Sequence, residues 1–169
     1  MKQVGVDVCK LPLVDGYCHA FVLIDYFSKW LEAKPIKDKS AQTISQFLCW
    51  HGCFKIQIID QGRQFVNEVR KQLHKLTGVE QRVTSAYHPQ RNGLVERQNR
   101  TIKNSLIKIL EGNPEMSSQI IEGILFAHRV RRHFSTNYSP FMLMYNCEPV
   151  LAIDVKHNLD KDESNKTRI

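Results

Sequence analysis

The sequence predicts an α/β fold class, and three observations carry that expectation. Residues 3–36 hold three strand-like runs joined by short links, which implies an antiparallel meander. Residues 41–84 then alternate between helical and strand-like periodicity. Finally, the short, mostly apolar run Lys55-Ile56-Gln57-Ile58-Ile59 leads straight into Asp60-Gln61-Gly62. A carboxylate at the carboxyl end of a buried strand is where α/β sheets place ligand chemistry.

The elements follow in order. Gln3 to Cys9 alternates, with Val4, Val6 and Val8 on one face and Gly5, Asp7 and Cys9 on the other. Aspartate is a poor strand former, so Asp7 in mid-strand is either a surface residue or a functional one. Lys10 to Gly16 reads as a turn, Tyr17 to Asp25 as a second strand, and Lys29 to Ile36 as a third. Asp25 reads as structural and Trp30 as core. Ser40 is a plausible N-cap for a helix from Ala41 to about Trp50, ended at Gly52. A helix from Phe65 to Leu76 turns Val66, Val69, Leu73 and Leu76 inward and stops at Gly78. Val79 to Thr84 makes a fifth strand, followed by the loop Ser85 to Gln90.

Asn92-Gly93 ends a turn-forming stretch, and no proline or glycine follows until Gly112. That leaves room for a helix of about five turns. Val95, Ile102, Leu106 and Ile109 form its apolar stripe, while Glu96, Arg100 and Lys103 form a polar one. The polar stripe is either a solvated face with Glu96 paired to Arg100, or a carboxylate heading a basic ridge that takes a cation and a phosphate together. A further helix runs from Pro114 to about Arg132, with Ile120, Ile124, Phe126, Ala127 and Val130 inward. Its end, Arg129, Arg131, Arg132 and His133, is either dipole-compatible or a DNA contact. Ser139-Pro140-Phe141 opens a short last helix to Tyr145. Residues 1–154 are expected to form one domain and the polar stretch 155–169 a frayed tail.

Composition narrows the function classes. Lysine and arginine exceed aspartate and glutamate by 24 − 17 = 7, and the pI is near 9.2, which favours an anionic partner such as nucleic acid. No apolar run approaches the roughly 20 residues of a membrane span. No secretory leader is read at the start, and the five scattered cysteines are expected to be reduced thiols inside the cell. Cys49-Trp50-His51-Gly52-Cys53 lacks a distant second ligand pair, so a helix end is the better reading than zinc.

Three acids stand out: Asp7 mid-strand, Asp60 at a strand end and Glu96 on a helix, the last two 35 residues apart. Carboxylate oxygens suit hard divalent cations, and two such ions can serve in-line phosphoryl displacement.

Several segments carry a resemblance. They are Gly5-Val6-Asp7, Val22 to Ala33, Asp60-Gln61-Gly62-Arg63-Gln64-Phe65, Thr84 to Gln90 and Asn92 to Arg97, with Ser139-Pro140-Phe141 and Tyr145 near the end. Over roughly residues 3–150 the chain resembles the catalytic core of retroviral-type integrases, closest to those of gypsy-type long-terminal-repeat retrotransposons. The resemblance implies a ribonuclease H-like fold with a five-stranded mixed sheet flanked by helices. It implies DNA integration by a polynucleotidyl transferase, with Asp7, Asp60 and Glu96 as the acidic triad binding two Mg²⁺ or Mn²⁺. It also implies that Arg100 and Lys103 face the DNA end, that Tyr87, His88 and Gln90 lie on a loop beside the site, and that the chain acts in the nucleus as a homodimer or higher assembly with DNA. Turn packing is the alternative for Tyr87 and His88. The family's zinc-binding and C-terminal DNA-binding modules are not matched. Departures from the family pattern are the lack of glycine in Val8-Cys9-Lys10-Leu11-Pro12, Phe54 where proline is usual and Gln64 where glutamate is usual. None removes a metal ligand, but they keep open an inactive, captured nucleic-acid-binding module. A ribonuclease H-type hydrolase is a third reading.

Overall fold

The computed structural model describes residues 3–14, 16–51, 55–58, 62–85, 104, 117–151 and 154. Strands β1 (Gln3–Val14), β2 (Tyr17–Asp25), β3 (Leu31–Ile36), β4 (Lys55–Ile58) and β5 (Val83–Ser85) form one sheet in the order β3-β2-β1-β4-β5. The first three are antiparallel, and β4 and β5 run parallel to β1. The sheet is therefore mixed and five-stranded, as expected of a ribonuclease H-like fold.

Helices α1 (Ala41–Cys49) and α2 (Arg63–Thr77) pack on one face. There Val4, Val6 and Val8 of β1 meet Phe21 and Leu23 of β2, Ile44 and Leu48 of α1, and Val66, Val69 and Leu73 of α2. Fully burying each Leu, Ile or Val contributes about 1.5–3 kcal/mol. Helix α3 (Ser117–Val130) takes the opposite face, where Ile121 and Leu125 meet Ala20, Val22, Ile24, Leu31 and Ala33. Helix α4 (Pro140–Tyr145) packs against α3. The Ser40 hydroxyl caps α1 by accepting from the Thr43 N–H at 3.2 Å. Gly78 closes α2 at φ 68°, a left-handed position where a side chain would be strained.

The structure corrects several boundaries. β1 does not stop at Cys9; after a register shift between Lys10 and Val14 it pairs again, Val14 opposite Tyr17. An irregularity of that kind lets a strand absorb extra residues without ending. α2 begins at Arg63, two residues before Phe65, and Leu76 is 49% exposed rather than inward. Val79 is exposed too, and β5 begins only at Val83. Among the residues of α3 whose burial is described, Ile121 and Leu125 are inward and Ile124 and Val130 half-buried, while Phe126 and Ala127 face solvent; the expected inward Ile120 lies outside them. Residues 155–169, and the helix expected from Gly93 apart from helical Asn104, lie outside the described residues.

One contact fixes a residue type. A Cβ on Gly5 would meet the Tyr26 ring and hydroxyl at 2.7–2.9 Å, so Tyr26 lies directly over this stretch of β1. Gly5→Ala is expected to cost about 1–3 kcal/mol in urea unfolding, the usual price of overpacking. Adding Tyr26→Ala removes the clashing ring, so the two losses should be markedly less than additive.

Candidate functional site

Asp7 sits mid-strand in β1, half-buried, opposite Val22 of β2. Because Val4, Val6 and Val8 point to the α1–α2 core, Asp7 points to the opposite face with Gly5, the face on which Tyr26 lies. The Val8 N–H donates to Asp7 Oδ1 at 2.8 Å, which helps to orient the carboxylate. Across the parallel pair, Val6 stands opposite Ile58, and Ile58 in turn opposite Ser85 of β5. Asp7 is thus one residue past the level at which described β4 ends. The other predicted site residues, Asp60, Tyr87, His88, Gln90, Glu96, Arg100 and Lys103, lie outside the described residues. Among the described residues, no three of His, Cys, Asp and Glu gather to hold a metal. The Cys49–His51 stretch is a helix end, where the His51 ring bonds the Phe47 carbonyl at 2.9 Å. No described helix is long and apolar enough to cross a membrane.

The turn after β2 is built around Asp25, which is 1% exposed. Its Oδ2 accepts from the Ser28 N–H at 2.9 Å and from the Ser28 hydroxyl at 2.6 Å. Lys29 takes a left-handed φ of 63°, and its ammonium donates to the Tyr26 carbonyl at 2.6 Å. Burial pulls the Lys29 ammonium below its ordinary pKa, and the Asp25 charge pushes back. Asp25 is therefore structural: it holds the turn that carries Tyr26.

Beyond that turn, Arg129 belongs to the scaffold. Its guanidinium lies 4.5 Å from the Trp30 ring centre, donates to the Leu31 carbonyl at 3.0 and 2.9 Å, and pairs with Glu32 at 2.7 Å. These contacts give Arg129 a packing role against β3, which neither reading of the helix end foresaw, and they blunt the edge of β3. Trp30, 7% exposed, is core as expected. Arg131 and Arg132 remain exposed.

His128 of α3 donates through Nε2 to the Lys29 carbonyl at 3.2 Å. Burial is the main cause holding its pKa below the ordinary value; the charges of His133, Arg129 and Arg131 add to this, and the bond to Lys29 opposes it. His133 is lowered too, again chiefly by burial. A folded-state pKa below the unfolded value of about 6.5 means the unfolded chain binds the extra proton first. The contribution is present above about pH 6.5 and is lost as pH falls through that value toward the folded-state pKa. Thermal unfolding should show Tm falling from pH 7.5 to 5, with a shallower fall in His128→Gln; an identical pH profile in the variant would remove His128 as a cause.

Comparisons with known proteins bear on the same regions. No family model matches the chain. The Gag-Pol polyprotein of Feline leukemia virus is 32% identical over 167 residues, 94% of this chain and 9% of that polyprotein. The Pol polyprotein of Radiation murine leukemia virus (strain Kaplan) is 37% identical over 103 residues, 58% of this chain and 18% of its own length. The Pro-Pol polyprotein of Feline foamy virus is 30% identical over 153 residues, 89% of this chain and 13% of its own length. The chain thus spans less than a fifth of each of these relatives. Among solved structures, a chain in the cryo-EM structure of the simian T-cell lymphotropic virus intasome in complex with PP2A regulatory subunit B56 gamma matches with a TM-score of 0.66. That match covers 89% of this chain and 55% of the other at 21% identity, a likeness of fold.

Proposed function

Since this chain is a relative of the retroviral Pol polyproteins and carries the retroviral-type integrase core fold, we propose that it processes and joins DNA 3′ ends by phosphoryl transfer. The observation that carries the reading is the placement of Asp7 on β1 beside the end of β4. Asp60 follows Ile58 by two residues, a tether of at most about 7.6 Å, and neighbouring strands lie about 4.8 Å apart. A tether of that length lets Asp60 reach the neighbourhood of Asp7, as the reading requires. Glu96 would complete the set from its helix.

An all-carboxylate donor set fits Mg²⁺ or Mn²⁺, hard ions that take oxygen ligands. Asp7, Asp60 and Glu96 would hold two of them; such a pair, when bound, supplies activation of the attacking oxygen and stabilisation of the leaving one. Arg100 and Lys103 would bind the phosphates of the DNA end, and Tyr87, His88 and Gln90 would border it. The same reading places the core at residues 1–154, groups it with the gypsy-type retrotransposon integrases, and has it act in the nucleus as a homodimer or larger assembly on DNA. The test is a disintegration assay with Mg²⁺ or Mn²⁺ on a branched DNA substrate, for which wild-type chain should yield resolved product. A second reading, an inactive nucleic-acid-binding module, draws on Phe54, Gln64 and the glycine-free Val8–Pro12 stretch. It expects DNA binding with no product under the same conditions.

A further inference from the structure

On the α2 side of the sheet, away from the face of Asp7, a groove of about 490 Å³ is lined by Asn67, Arg70, Lys71, His74 and Glu80. Four of the five come from α2, and Glu80 comes from the link that returns to β5. Arg63, Asn67, Arg70 and His74 recur at intervals of four, three and four, so they share one helix face, and Lys71 flanks it. All five of these side chains are exposed. Arg70 is ion-paired to Glu80, whereas Lys71 has no ion pair among the described residues. The groove is open, and its described lining carries Arg70, Lys71 and His74 against one acid, Glu80. That form suits a polyanion lying across it better than an enclosed small molecule.

We infer that this face of α2 is a second DNA-backbone contact, continuing the path of a duplex away from the candidate site. The inference rests on the DNA-directed reading given above and names the surface that extends it. α2 starts immediately after Asp60-Gln61-Gly62, so the ridge begins at the candidate site. From Arg63 to His74 the helix rises about 16 Å, on the order of five phosphate steps along one strand. Lys71 supplies a charge for a phosphate, and Asn67 supplies an amide donor. Glu80 opposes binding twice: its own charge repels phosphate, and it occupies Arg70.

The experiment measures affinity for a short duplex of arbitrary sequence against salt concentration, using the whole chain. Lys71→Glu is compared with Lys39→Glu, an equal charge change at an exposed site beyond edge strand β3, the opposite edge of the sheet from β5. Lys71→Glu should bind about tenfold more weakly near 0.1 M salt, with the logarithmic salt slope reduced by about one, across all sequences. Lys39→Glu should change far less. Glu80→Gln should act in the other direction and bind several-fold more tightly. Equal losses in Lys71→Glu and Lys39→Glu would reduce the effect to net charge and overturn the groove, as would weaker binding by Glu80→Gln. If wild-type chain binds no duplex, the DNA-directed reading falls and this inference with it. Wild-type binding that ignores Lys71 and Glu80 sinks the groove alone.

Discussion

Asp7→Asn should lower metal-dependent disintegration by roughly a thousandfold while leaving the chain folded, and Glu96→Gln should do the same. The substitution keeps the shape of the side chain, and the amide Oδ1 can still accept from the Val8 N–H that now meets Asp7 at 2.8 Å. What it removes is one negative charge from the donor set. Charge stabilisation by bound metal contributes several kcal/mol to a phosphoryl-transfer transition state. A loss of about 4 kcal/mol corresponds to a rate factor of about a thousand. Circular dichroism and Tm should stay close to wild type, because no packed apolar group is disturbed. Activity within tenfold of wild type in either variant would show that the acid in question holds no essential metal.

The largest effect on stability is expected at Trp30. Its ring is buried at the sheet edge, stacked under Arg129 and meeting Tyr145 edge-on with ring centres 5.5 Å apart. Its indole N–H donates to Glu32 at 2.8 Å. One side chain therefore ties β3, α3 and α4 together. Trp30→Ala should cost about 3–5 kcal/mol in urea unfolding, the range for emptying a large aromatic site. Domains of this kind have only about 5–15 kcal/mol in total, so that loss is a large fraction of the whole. Trp30→Phe keeps a ring under Arg129 and loses the hydrogen bond, so it should retain most of the stability. A Trp30→Ala cost under about 1 kcal/mol would mean that the edge cluster is held by something other than this ring.

Much of this architecture was legible in the chain because local rules decided it. β2 was readable to the residue, since turn residues bound an apolar run on both sides. The caps Ser40, Gly78 and Ser139 marked helix ends by their own chemistry. What was misread depended on distant partners. Lys10-Leu11-Pro12-Leu13 looked like a turn, yet the hairpin with β2 carries the strand to Val14. The rotation of α3 could not be taken from its apolar residues, because Arg129 meets Trp30, Leu31 and Glu32, some hundred positions earlier. The cationic groove of α2 was missed for a related reason: its helix positions were visible as a period, but Glu80 joins them only through the fold. Within the candidate site, the place of Asp7 in mid-strand, on the face opposite the valines, was legible from the alternation of β1. The proposed meeting of Asp7, Asp60 and Glu96 rests on the resemblance, since no local period encodes contact between residues 89 positions apart.

Anomalous diffraction from crystals of the chain grown with Mn²⁺ and a DNA end addresses that meeting directly. Two Mn²⁺ peaks about 4 Å apart, each bound by carboxylate oxygens of Asp7, Asp60 or Glu96, are the expected result. Saturating Mn²⁺ with no peak at Asp7, or with Asp60 or Glu96 turned away from the ions, would contradict it.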